Sequence, residues 1–521
     1  MKVNFSRVSG GLAESFGDRE AIVNVERQRR YTFREYHLVT NRIANLLRND
    51  LGLTVGDRYA CILKNDNLSL LHWVTAAKAE ATCCHANYRD SLTTHVSQMQ
   101  TTGAKVVFIE EDLLDSHYAP LRDLGITIVA MDPPRQPREG VLSFWDLVEA
   151  SSDENPDFVL DDRSHVVLVR FTGGTTGDSK CAQYCLDNLF MCRDSYWAVP
   201  GSDFTEDTRM LHLAPISHGS GLLVFSTLFQ GGCTITINEP DLAQWCRVVE
   251  QEKATHCFLV PTLAYRLLDL PEAQSSDLSS LRSAVYSAAP MAPAKTQKLI
   301  EKFGPIFFQA YGSTENLAVA ASLTKKDHIG ADPQRLASIG RRMAGAEIYV
   351  ADDDGNPVEQ GELGEIYVRS RAVCLGYLNN PEKTKEEFFD GFWKSGDIGY
   401  VDDKGYLFIV DRKKDMIISG GFNIYATEVE AAINACAGVQ NSAVVGIPHD
   451  TWGEAVHAEV VLSDGSDLDE PTLIVRIKEK IGSMKAPKSI TFVDQLPTSS
   501  VGKILRKDVR AKYWANSIRK V

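Results

Sequence analysis

The sequence predicts an α/β protein with a large N-terminal domain of parallel α/β sheets, a small barrel-like β subdomain and a small C-terminal α+β domain. Strand-like apolar runs alternate with helix-like segments from about residue 20 to residue 310, which is typical of parallel sheets covered by helices. From about residue 340 short strands are separated by turn residues, which favours an antiparallel or barrel-like arrangement. A chain of 521 residues is also too long for one ordinary core. We therefore place an N-terminal domain at residues 1–411 and a C-terminal domain at residues 412–521.

The elements of the first domain follow from local patterns. Thr32 and Glu35 fit a capping box, and a helical pattern runs from there to about residue 47. Apolar runs bounded by turn residues predict the other elements. Strands are predicted at residues 59–63, 106–109, 165–171, 209–213, 233–237, 256–260, 283–287 and 306–309, and helices at 68–79, 222–229 and 241–253.

The second half of the chain contains shorter elements. Residues 346–350 and 364–368 are predicted strands with an Asp353-Asp354-Gly355-Asn356 turn between them, and a similar turn follows at residues 402–405. The last part predicts a compact unit of a size common for domains. Its predicted elements are a helix at 427–436, strands at 442–447 and 455–462, a helix at 473–481 and a strand at 489–493.

Composition excludes several classes of function. The net charge is −14, and the chain has no basic stripe of the kind that nucleic-acid binders use. No run of 18 apolar residues is present, which predicts that no segment spans a membrane. The N-terminus lacks the apolar core of a signal peptide. The eleven cysteines form no CxxC pair, which argues against zinc and favours free thiols in a cytoplasmic protein.

A loop rich in glycine and threonine follows the apolar run at residues 165–171. Its sequence is Thr172-Gly-Gly-Thr-Thr-Gly-Asp-Ser-Lys180. Glycines allow backbone N–H groups to approach an anion, hydroxyls donate further hydrogen bonds, and lysine adds a positive charge. The loop lacks the Gly-Lys-Ser/Thr ending of the common phosphate loop. Taken alone, it fits either a polyphosphate site or a flexible turn.

Three more loops follow predicted strands of the same sheets. They occupy residues 214–219, 287–290 and 311–315 and are rich in small or polar residues. Ligands of such sheets bind outside the carboxyl ends of the strands. These loops are therefore the predicted site of binding.

Six motifs occur in a fixed order and together resemble the adenylate-forming superfamily. They are Phe171-Thr-Gly-Gly-Thr-Thr-Gly-Asp-Ser-Lys180, Tyr311-Gly-Ser-Thr-Glu315, Ser395-Gly-Asp397, Asp411-Arg-Lys-Lys-Asp415, Gly420-Gly421 and Pro497-Thr-Ser-Ser-Val-Gly-Lys503. This superfamily comprises acyl-CoA synthetases, peptide-synthetase adenylation domains and beetle luciferases, and the sequence is most similar to stand-alone acyl-CoA synthetases. The resemblance covers the whole chain. It implies that the protein uses ATP and Mg²⁺, with CoA as a co-substrate. It also implies that the C-terminal domain is mobile.

The resemblance also implies roles for individual residues. Thr314 and Glu315, both predicted catalytic residues, match the family positions that contact the α-phosphate and bind magnesium. Asp397 matches the aspartate that accepts hydrogen bonds from the ribose hydroxyls, and Arg412 an arginine that contacts the ribose or the phosphate. Tyr311 and Gly312 lie beside the adenine. The phosphate-contacting positions are Thr172, Gly173, Gly174, Thr175, Thr176, Gly177 and Lys180. The usual family loop ends Gly-x-Pro-Lys-Gly, whereas Ser179 and Cys181 replace the proline and second glycine here.

Four further positions complete the predicted site. Lys503 matches the catalytic lysine, Lys414 the hinge, and Gly421 a glycine beside the pantetheine channel. His218 matches a residue at the wall of the acyl pocket, although a lone histidine is as often structural. Outside their motifs, Glu315 and Lys503 fit solvated charges equally well, and Asp397 fits a turn residue.

The predicted function is an ATP-dependent carboxylic acid–CoA ligase. Small residues near His218 and the lack of an acidic residue to pair an ammonium favour a fatty, branched or aryl acid. The alternatives are an enzyme that loads an acyl group onto a separate carrier protein, a non-catalytic nucleotide-binding homologue, and a luciferase-like oxidation. The expected partners are the acid, ATP and CoA, with no nucleic acid and a possible homodimer.

Overall fold

The computed structural model describes residues 1–132, 137–172, 180–463, 465–499 and 503–514. The predicted fold class is confirmed. Two seven-stranded sheets form the large N-terminal domain, a five-stranded antiparallel sheet forms the β subdomain, and a second five-stranded sheet belongs to the C-terminal domain. Within these described ranges, no helix combines the length and apolar character that a membrane crossing requires.

The two large sheets are mainly parallel. The first sheet has the strand order Cys181–Cys185, Val166–Phe171, Thr82–Asn87, Arg58–Leu63, Val106–Ile109, Thr127–Ala130 and Val141–Ser143, and only Cys181–Cys185 runs antiparallel to its neighbour. The second has the order Phe307–Gln309, Ser283–Tyr286, His256–Leu259, Arg209–His212, Cys233–Thr236, Glu20–Asn24 and Arg29–Thr32, and only Arg29–Thr32 is antiparallel to its neighbour. Parallel strands of this kind are buried on both faces.

Helices cover both sheets, and the sheets share a core. The helices of this domain are Phe5–Phe16, Phe33–Asn45, Asn65–Leu68, Trp73–Lys78, Leu92–Thr102, Leu114–Asp123, Phe144–Ala150, Leu186–Trp197, Leu223–Leu228, Leu242–Glu252, Pro261–Asp269, Glu272–Ser275, Pro293–Phe303, Lys325–His328, Pro333–Ala337 and Pro381–Glu387. Leu168 of the first sheet and Met210 of the second belong to one buried apolar cluster, together with Tyr196 and Phe225 of two helices between them. The space between the sheets is therefore closely packed.

The β subdomain is fully antiparallel. Its strand order is Ala346–Ala351, Gly364–Ser370, Phe392–Val401 and Phe388–Phe389, with Leu407–Arg412 also paired to Phe392–Val401. Two short strand pairs complete the fold of the large domain, and these are Lys2–Val3 with Leu160–Asp161 and Ala321–Ser322 with Arg341–Arg342.

The C-terminal domain packs three helices on a mixed sheet. The strands are Phe422–Ile424, Ile417–Ser419, Gly453–Leu462, Val439–His449 and Ser489–Phe492, and the helices are Ala426–Asn434, Glu470–Lys485 and Arg506–Trp514. Val429, Val456 and Leu473 are among the residues of its own buried core. The two long predicted strands pair antiparallel, as expected for neighbours in sequence.

Two local features differ from the prediction. The helix predicted at residues 68–79 is two short helices, Asn65–Leu68 and Trp73–Lys78, because His72 has an extended backbone at φ −66° and ψ −176°. Asn65 also donates to backbone oxygens of Ala214 and Ile237 in the second sheet, which fixes the first helix to that sheet. The hairpin Ile417–Ser419 and Phe422–Ile424 was not predicted, and Gly420 and Gly421 form its turn at φ +58° and +82°.

Candidate functional site

Asp397 is held on both of its oxygens. Tyr311 donates from Oη to Oδ2 of Asp397 at 2.8 Å, and Nε of Arg412 lies 3.1 Å from Oδ1. Asp397 and Arg412 are register partners on neighbouring antiparallel strands, which places their side chains on one face. Burial, followed by the charge of Asp397, raises the pKa of Tyr311. Asp397 is thus a fixed, buried carboxylate with lone pairs left to accept further hydrogen bonds.

A backbone hydrogen bond joins the two ends of the glycine- and threonine-rich loop. Thr172 donates its N–H to the carbonyl of Lys180 at 2.8 Å. Thr172 is buried, and its Oγ1 has no partner among the described residues. A buried hydroxyl usually has a partner, so Thr172 is available for a ligand. The predicted phosphate contacts Gly173, Gly174, Thr175, Thr176 and Gly177 lie outside the described residues.

Lys180 lies in a network of two carboxylates and a phenol. Its Nζ is 2.8 Å from Oε2 of Glu387, 3.6 Å from Oε1 of Glu315 and 2.9 Å from Oη of Tyr377. Burial raises the pKa of Glu387, but hydrogen bonds from Lys180 and Tyr377 outweigh it, and the pKa of Glu387 lies below its ordinary value. The positive charge of Lys180 is therefore balanced by neighbouring carboxylates.

Glu315 sits at the centre of the same network. It is buried and accepts a hydrogen bond of 2.9 Å from Oη of Tyr377. Burial and then the charges of Glu315 and Glu387 raise the pKa of Tyr377. The carbonyl of the preceding Thr314 accepts a hydrogen bond from Oη of Tyr184, which fixes the backbone of this loop.

The C-terminal domain contributes Lys503 to this region. The charge of Lys503 interacts with the Asp397 and Arg412 pair. Desolvation and the charges of Arg412 and Lys414 lower the pKa of Lys503 to about 8. Asp397 and Asp415 act on it in the opposite direction. Charged groups of the two domains thus interact with one another around Asp397.

Lys414 lies beside the same groups. It is exposed, and desolvation followed by the charge of Arg412 lowers the pKa of Lys414 while Asp415 raises it. Lys414 comes two residues after the strand Leu407–Arg412 and three before the strand Ile417–Ser419. It therefore occupies the short link between the last strand of the subdomain and the first strand of the C-terminal sheet.

Asp411 and Arg506 join the two domains. Asp411 is fully buried, and its Oδ1 lies 2.9 Å from Nη1 of Arg506. Thr427 of the C-terminal domain donates to both oxygens of Asp411, at 3.2 Å in each case. Arg506 also binds Glu430 at 2.5 Å. We call this set of four residues, Asp411, Thr427, Glu430 and Arg506, the interdomain clasp.

The remaining predicted residues lie around this centre or apart from it. A Cβ on Gly312 would lie 2.8 Å from the carbonyl of Ala318, so the loop requires glycine for close packing. Gly421 is in the exposed hairpin of the C-terminal domain. His218 is half-buried, and burial followed by the charge of Arg170 lowers its pKa to about 3. His218 is therefore neutral at physiological pH.

A metal ion has few protein ligands here. Within the part of the chain that the structure describes, no three His, Cys, Asp or Glu residues are placed to hold a metal ion. Glu315 offers a single carboxylate. That donor set fits Mg²⁺, which keeps several waters and is usually bound by one or two carboxylates and substrate phosphates.

The sequence did not reveal several residues of the site. Tyr377, Glu387 and Arg506 were not predicted, and each is tied to a residue far away in sequence, such as Glu387 to Lys180 across 207 positions. Glu387 ends a helix that also contains Glu382 and Glu386, so nothing local distinguishes it. Arg506 follows the Lys503 motif directly, and that proximity was the one available signal.

The site combines a fixed carboxylate, two lysines from different domains and an unpartnered buried hydroxyl. Cations and hydroxyl donors stabilise phosphate groups, and a buried carboxylate accepts hydrogen bonds from neighbouring hydroxyls. The arrangement can therefore bind a molecule with both a sugar and phosphates. It can also place Lys503 against a reacting group of that molecule.

Comparisons with known proteins agree with this arrangement. The chain matches the AMP-binding enzyme family over residues 12–378 and the AMP-binding enzyme C-terminal domain over residues 428–503. It is 34% identical to a feruloyl-CoA synthase of an Amycolatopsis species over 92% of this chain and 94% of that protein. It is 38% identical to the medium/long-chain-fatty-acid–CoA ligase FadD8 of Mycobacterium tuberculosis over 68% of this chain, which spans 63% of that relative. The ATP-bound structure of MatB from Rhodopseudomonas palustris has a TM-score of 0.87 at 29% identity, covering 98% of this chain and 99% of MatB.

Proposed function

The chain belongs to the AMP-binding enzyme family and is homologous to acid–CoA ligases, and we propose that it joins a carboxylic acid to CoA through an acyl-adenylate. The observation that carries this proposal is the buried Asp397, held by Tyr311 and Arg412 in the large domain, together with Lys503 of the C-terminal domain, whose charge interacts with both Asp397 and Arg412. A protein that only binds a nucleotide has no need of a second domain that carries a lysine to the same place. The homology of the whole chain to named CoA ligases supports the same reaction.

The proposed reaction has two steps. In the first, a carboxylate oxygen of the acid attacks the α-phosphorus of ATP, and the bond to the bridging oxygen of pyrophosphate breaks. In the second, the CoA thiol loses its proton and attacks the acyl carbonyl, and AMP leaves. The products are the thioester, AMP and pyrophosphate.

Residues of the large domain bind the nucleotide in this proposal. Asp397, held by Tyr311 and Arg412, accepts hydrogen bonds from the ribose hydroxyls. Thr172 and Lys180 contact the phosphates, with the loop between them. Lys180 must then exchange its bond to Glu387 for one to a phosphate. The fixed backbone at Thr314 holds the α-phosphate.

Lys503 has its role in the first step. Its positive charge stabilises the negative charge that collects where the carboxylate meets the α-phosphate. Lys414, in the link between the domains, is the proposed hinge that lets the C-terminal domain move between the two steps. Gly421 then lies near the CoA thiol arm.

Mg²⁺ neutralises phosphate charge when it is bound. Glu315 is the residue that would hold it, with phosphate oxygens and waters as the other ligands. Glu315 now lies 3.6 Å from Nζ of Lys180, so a cation already interacts with this carboxylate.

The proposed substrate is a fatty, branched or aryl acid. His218 and the small residues after it form one wall of the proposed acyl pocket, where a Cβ on Gly219 would lie 2.9 Å from the ring of Phe258. The relatives are named for a medium- or long-chain fatty acid and for a feruloyl group. A homodimer and a cytoplasmic location remain predictions from the sequence.

The test is pyrophosphate release from MgATP with a panel of short, medium, long, branched and aryl acids, with and without CoA. We expect turnover with one class of acid, dependent on CoA, and a thioester detected by mass. The same assay is run on Lys503→Ala, which should lose pyrophosphate release. Its control is Lys478→Ala, which removes an exposed lysine of the C-terminal domain. Pyrophosphate exchange without acylated CoA would instead favour loading of a carrier protein. No reaction with any acid would contradict the proposal.

A further inference from the structure

Basic side chains cluster between the two large sheets. Arg170 and His85 are register partners on neighbouring strands of the first sheet, His212 ends a strand of the second, and His72 acts electrostatically with all three. All four are buried, with exposed fractions of 4% for Arg170, 1% for His85 and 0% for His72 and His212. We call these four residues the basic cluster.

Among the described residues, Arg170 has no carboxylate within ion-pair distance. Its Nε and Nη2 donate to the carbonyl of Ser217 at 3.2 and 3.0 Å. The ionisable groups that interact with its charge are Tyr184, Cys192, Tyr196, His72 and His218, and none of these is an acid that is ionised at physiological pH. A buried guanidinium without an anion is costly, and arginine has five N–H donors in a planar fork that suits a carboxylate.

Most ring nitrogens of the three histidines lack partners among the described residues, although Nδ1 of His212 lies 2.8 Å from Oγ of Ser220. Both ring nitrogens of His72, both of His85 and Nε2 of His212 are buried without a hydrogen bond to any described residue. A neutral imidazole carries one donor and one acceptor, and buried polar atoms in folded proteins are nearly always paired. Five ring nitrogens without a partner therefore lie beside an arginine that is bound by a single backbone carbonyl, and all of them could bind a polar group of a ligand.

The basic cluster lies next to the proposed reaction site. Arg170 is two residues before Thr172, and its neighbour Tyr184 donates to the carbonyl of Thr314. Ser217, which binds Arg170, precedes His218 of the proposed acyl pocket. Direct contacts therefore link Arg170 both to the loop at Thr314 and to the segment that carries His218.

We propose that the basic cluster binds the second carboxylate of a dicarboxylic acid whose first carboxylate is activated next to Lys503. The inference rests on the proposed function and narrows its substrate to acids with an apolar middle and a charged far end. A carboxylate pairs with the guanidinium through two parallel hydrogen bonds and accepts further bonds from imidazole N–H groups. A methyl end would leave all of these donors unpaired, and sites built to bind a polar group reject analogues that lack it.

The experiment compares α,ω-dicarboxylic acids with monocarboxylic acids of equal chain length as substrates for pyrophosphate release by the wild-type enzyme. We expect at least one diacid to exceed its matched monoacid by about 100-fold or more in kcat/KM. Equal rates, or faster reaction with every monoacid, would overturn the inference while leaving the proposed function intact.

The variant Arg170→Met tests the residue itself. We expect it to lose reaction with the diacid and to keep or gain reaction with the monoacid, which a merely unfolded variant cannot do. Arg163→Met is the matched control, because Arg163 is exposed and lies 3.9 Å from Asp187 at the surface. An equal loss with both acids in Arg170→Met would show that Arg170 is structural and would overturn the inference.

Calorimetry separates the inference from the proposed function. The diacid is titrated into the wild-type enzyme and into Arg170→Met with a non-hydrolysable ATP analogue present. Binding to the wild type that weakens at least about tenfold in the variant supports the basic cluster even if no acid supports turnover. If the diacid does not bind the wild-type enzyme more tightly than its matched monoacid, the inference is wrong.

Discussion

Nζ of Lys180 and Oε2 of Glu387 lie 2.8 Å apart, although 206 residues separate them in the chain. The same lysine lies over the ring of Tyr377, 4.5 Å from its centroid. Lys180 is the predicted phosphate-binding lysine of the loop. In the proposed function, a phosphate oxygen would replace Glu387 as the partner of Lys180.

Replacing Glu387 by glutamine should tighten ATP binding. Because a phosphate must displace the carboxylate from Lys180, loss of its charge removes about 1 kcal/mol of competition, or about fivefold in affinity. Calorimetry with ATP measures this. The control is Glu386→Gln, since Glu386 is exposed and pairs with Lys383 at the surface. Weaker ATP binding in Glu387→Gln would show that Glu387 positions Lys180 for the phosphate instead of competing with it.

Lys503→Ala should separate the two half-reactions. Adenylate formation should fall by about 10²–10³-fold, as for the loss of one stabilising donor at a site of developing charge. Thioester formation from a chemically prepared acyl-adenylate and CoA should change by less than about threefold. Rapid-quench assays of each half-reaction measure both, with Lys478→Ala as the control. Equal loss in the two half-reactions would contradict this role of Lys503.

The pH profile of adenylate formation should report Lys503. Because Lys503 acts as a cation and its pKa is lowered to about 8, the active form is lost as the pH rises above about 8. We expect kcat/KM, which reports the free enzyme, to fall with rising pH through that value and to be flat only from about one pH unit below it. Lys503→Arg stays charged to much higher pH, so its profile should lack this fall. A fall at the same pH in Lys503→Arg would assign it to another group.

Asp411→Asn should weaken the interdomain clasp. Removing one partner of a buried ion pair leaves a buried charge uncompensated, although Arg506 keeps Glu430 at 2.5 Å. We expect adenylate formation to slow by at least about tenfold, equivalent to about 1.4 kcal/mol, because Lys503 is less often held near Asp397. Thioester formation from preformed adenylate should not slow. Asp508→Asn, at an exposed position of the last helix, is the control, and unchanged adenylation in Asp411→Asn would contradict the role of the clasp.

Thr172→Val should affect stability and binding in opposite directions. The buried Oγ1 of Thr172 has no partner among the described residues, so its removal should raise the free energy of unfolding by about 1 kcal/mol. ATP binding should weaken by about tenfold if this hydroxyl contacts a phosphate. Denaturant unfolding and calorimetry measure the two quantities. A less stable variant would show that the hydroxyl has a partner in the nucleotide-free protein.

Much of the fold could be predicted from local patterns. The capping box at Thr32 and Glu35 is present, with Thr32 Oγ1 accepting from the N–H of Glu35 at 3.2 Å. The helix predicted at 241–253 spans Leu242–Glu252, since Asp241 caps it and Lys253 ends it in the left-handed region at φ +49°. Such signals lie within a few residues of the element that they define. The resemblance to the adenylate-forming superfamily is confirmed as well.

Contacts between distant residues could not be predicted in this way. The sequence predicts that Arg170 belongs to an apolar strand. Nothing in the neighbouring sequence shows that its guanidinium is buried against the carbonyl of Ser217. Glu387 and Arg506 belong to charged segments in which each residue fits solvent equally well. Their partners are fixed only when the sheets and domains assemble. The break in the helix at His72 likewise depends on Asn65 bonding to the second sheet.

Asp411 and Arg412 are consecutive residues of one strand, so their side chains point to opposite faces. Arg412 binds Asp397, the proposed ribose acceptor, and Asp411 binds Arg506 of the C-terminal domain. One peptide unit therefore connects nucleotide occupancy to domain orientation. Thermodynamic reciprocity then applies: by whatever factor one orientation tightens the nucleotide, the nucleotide must favour that orientation by the same factor.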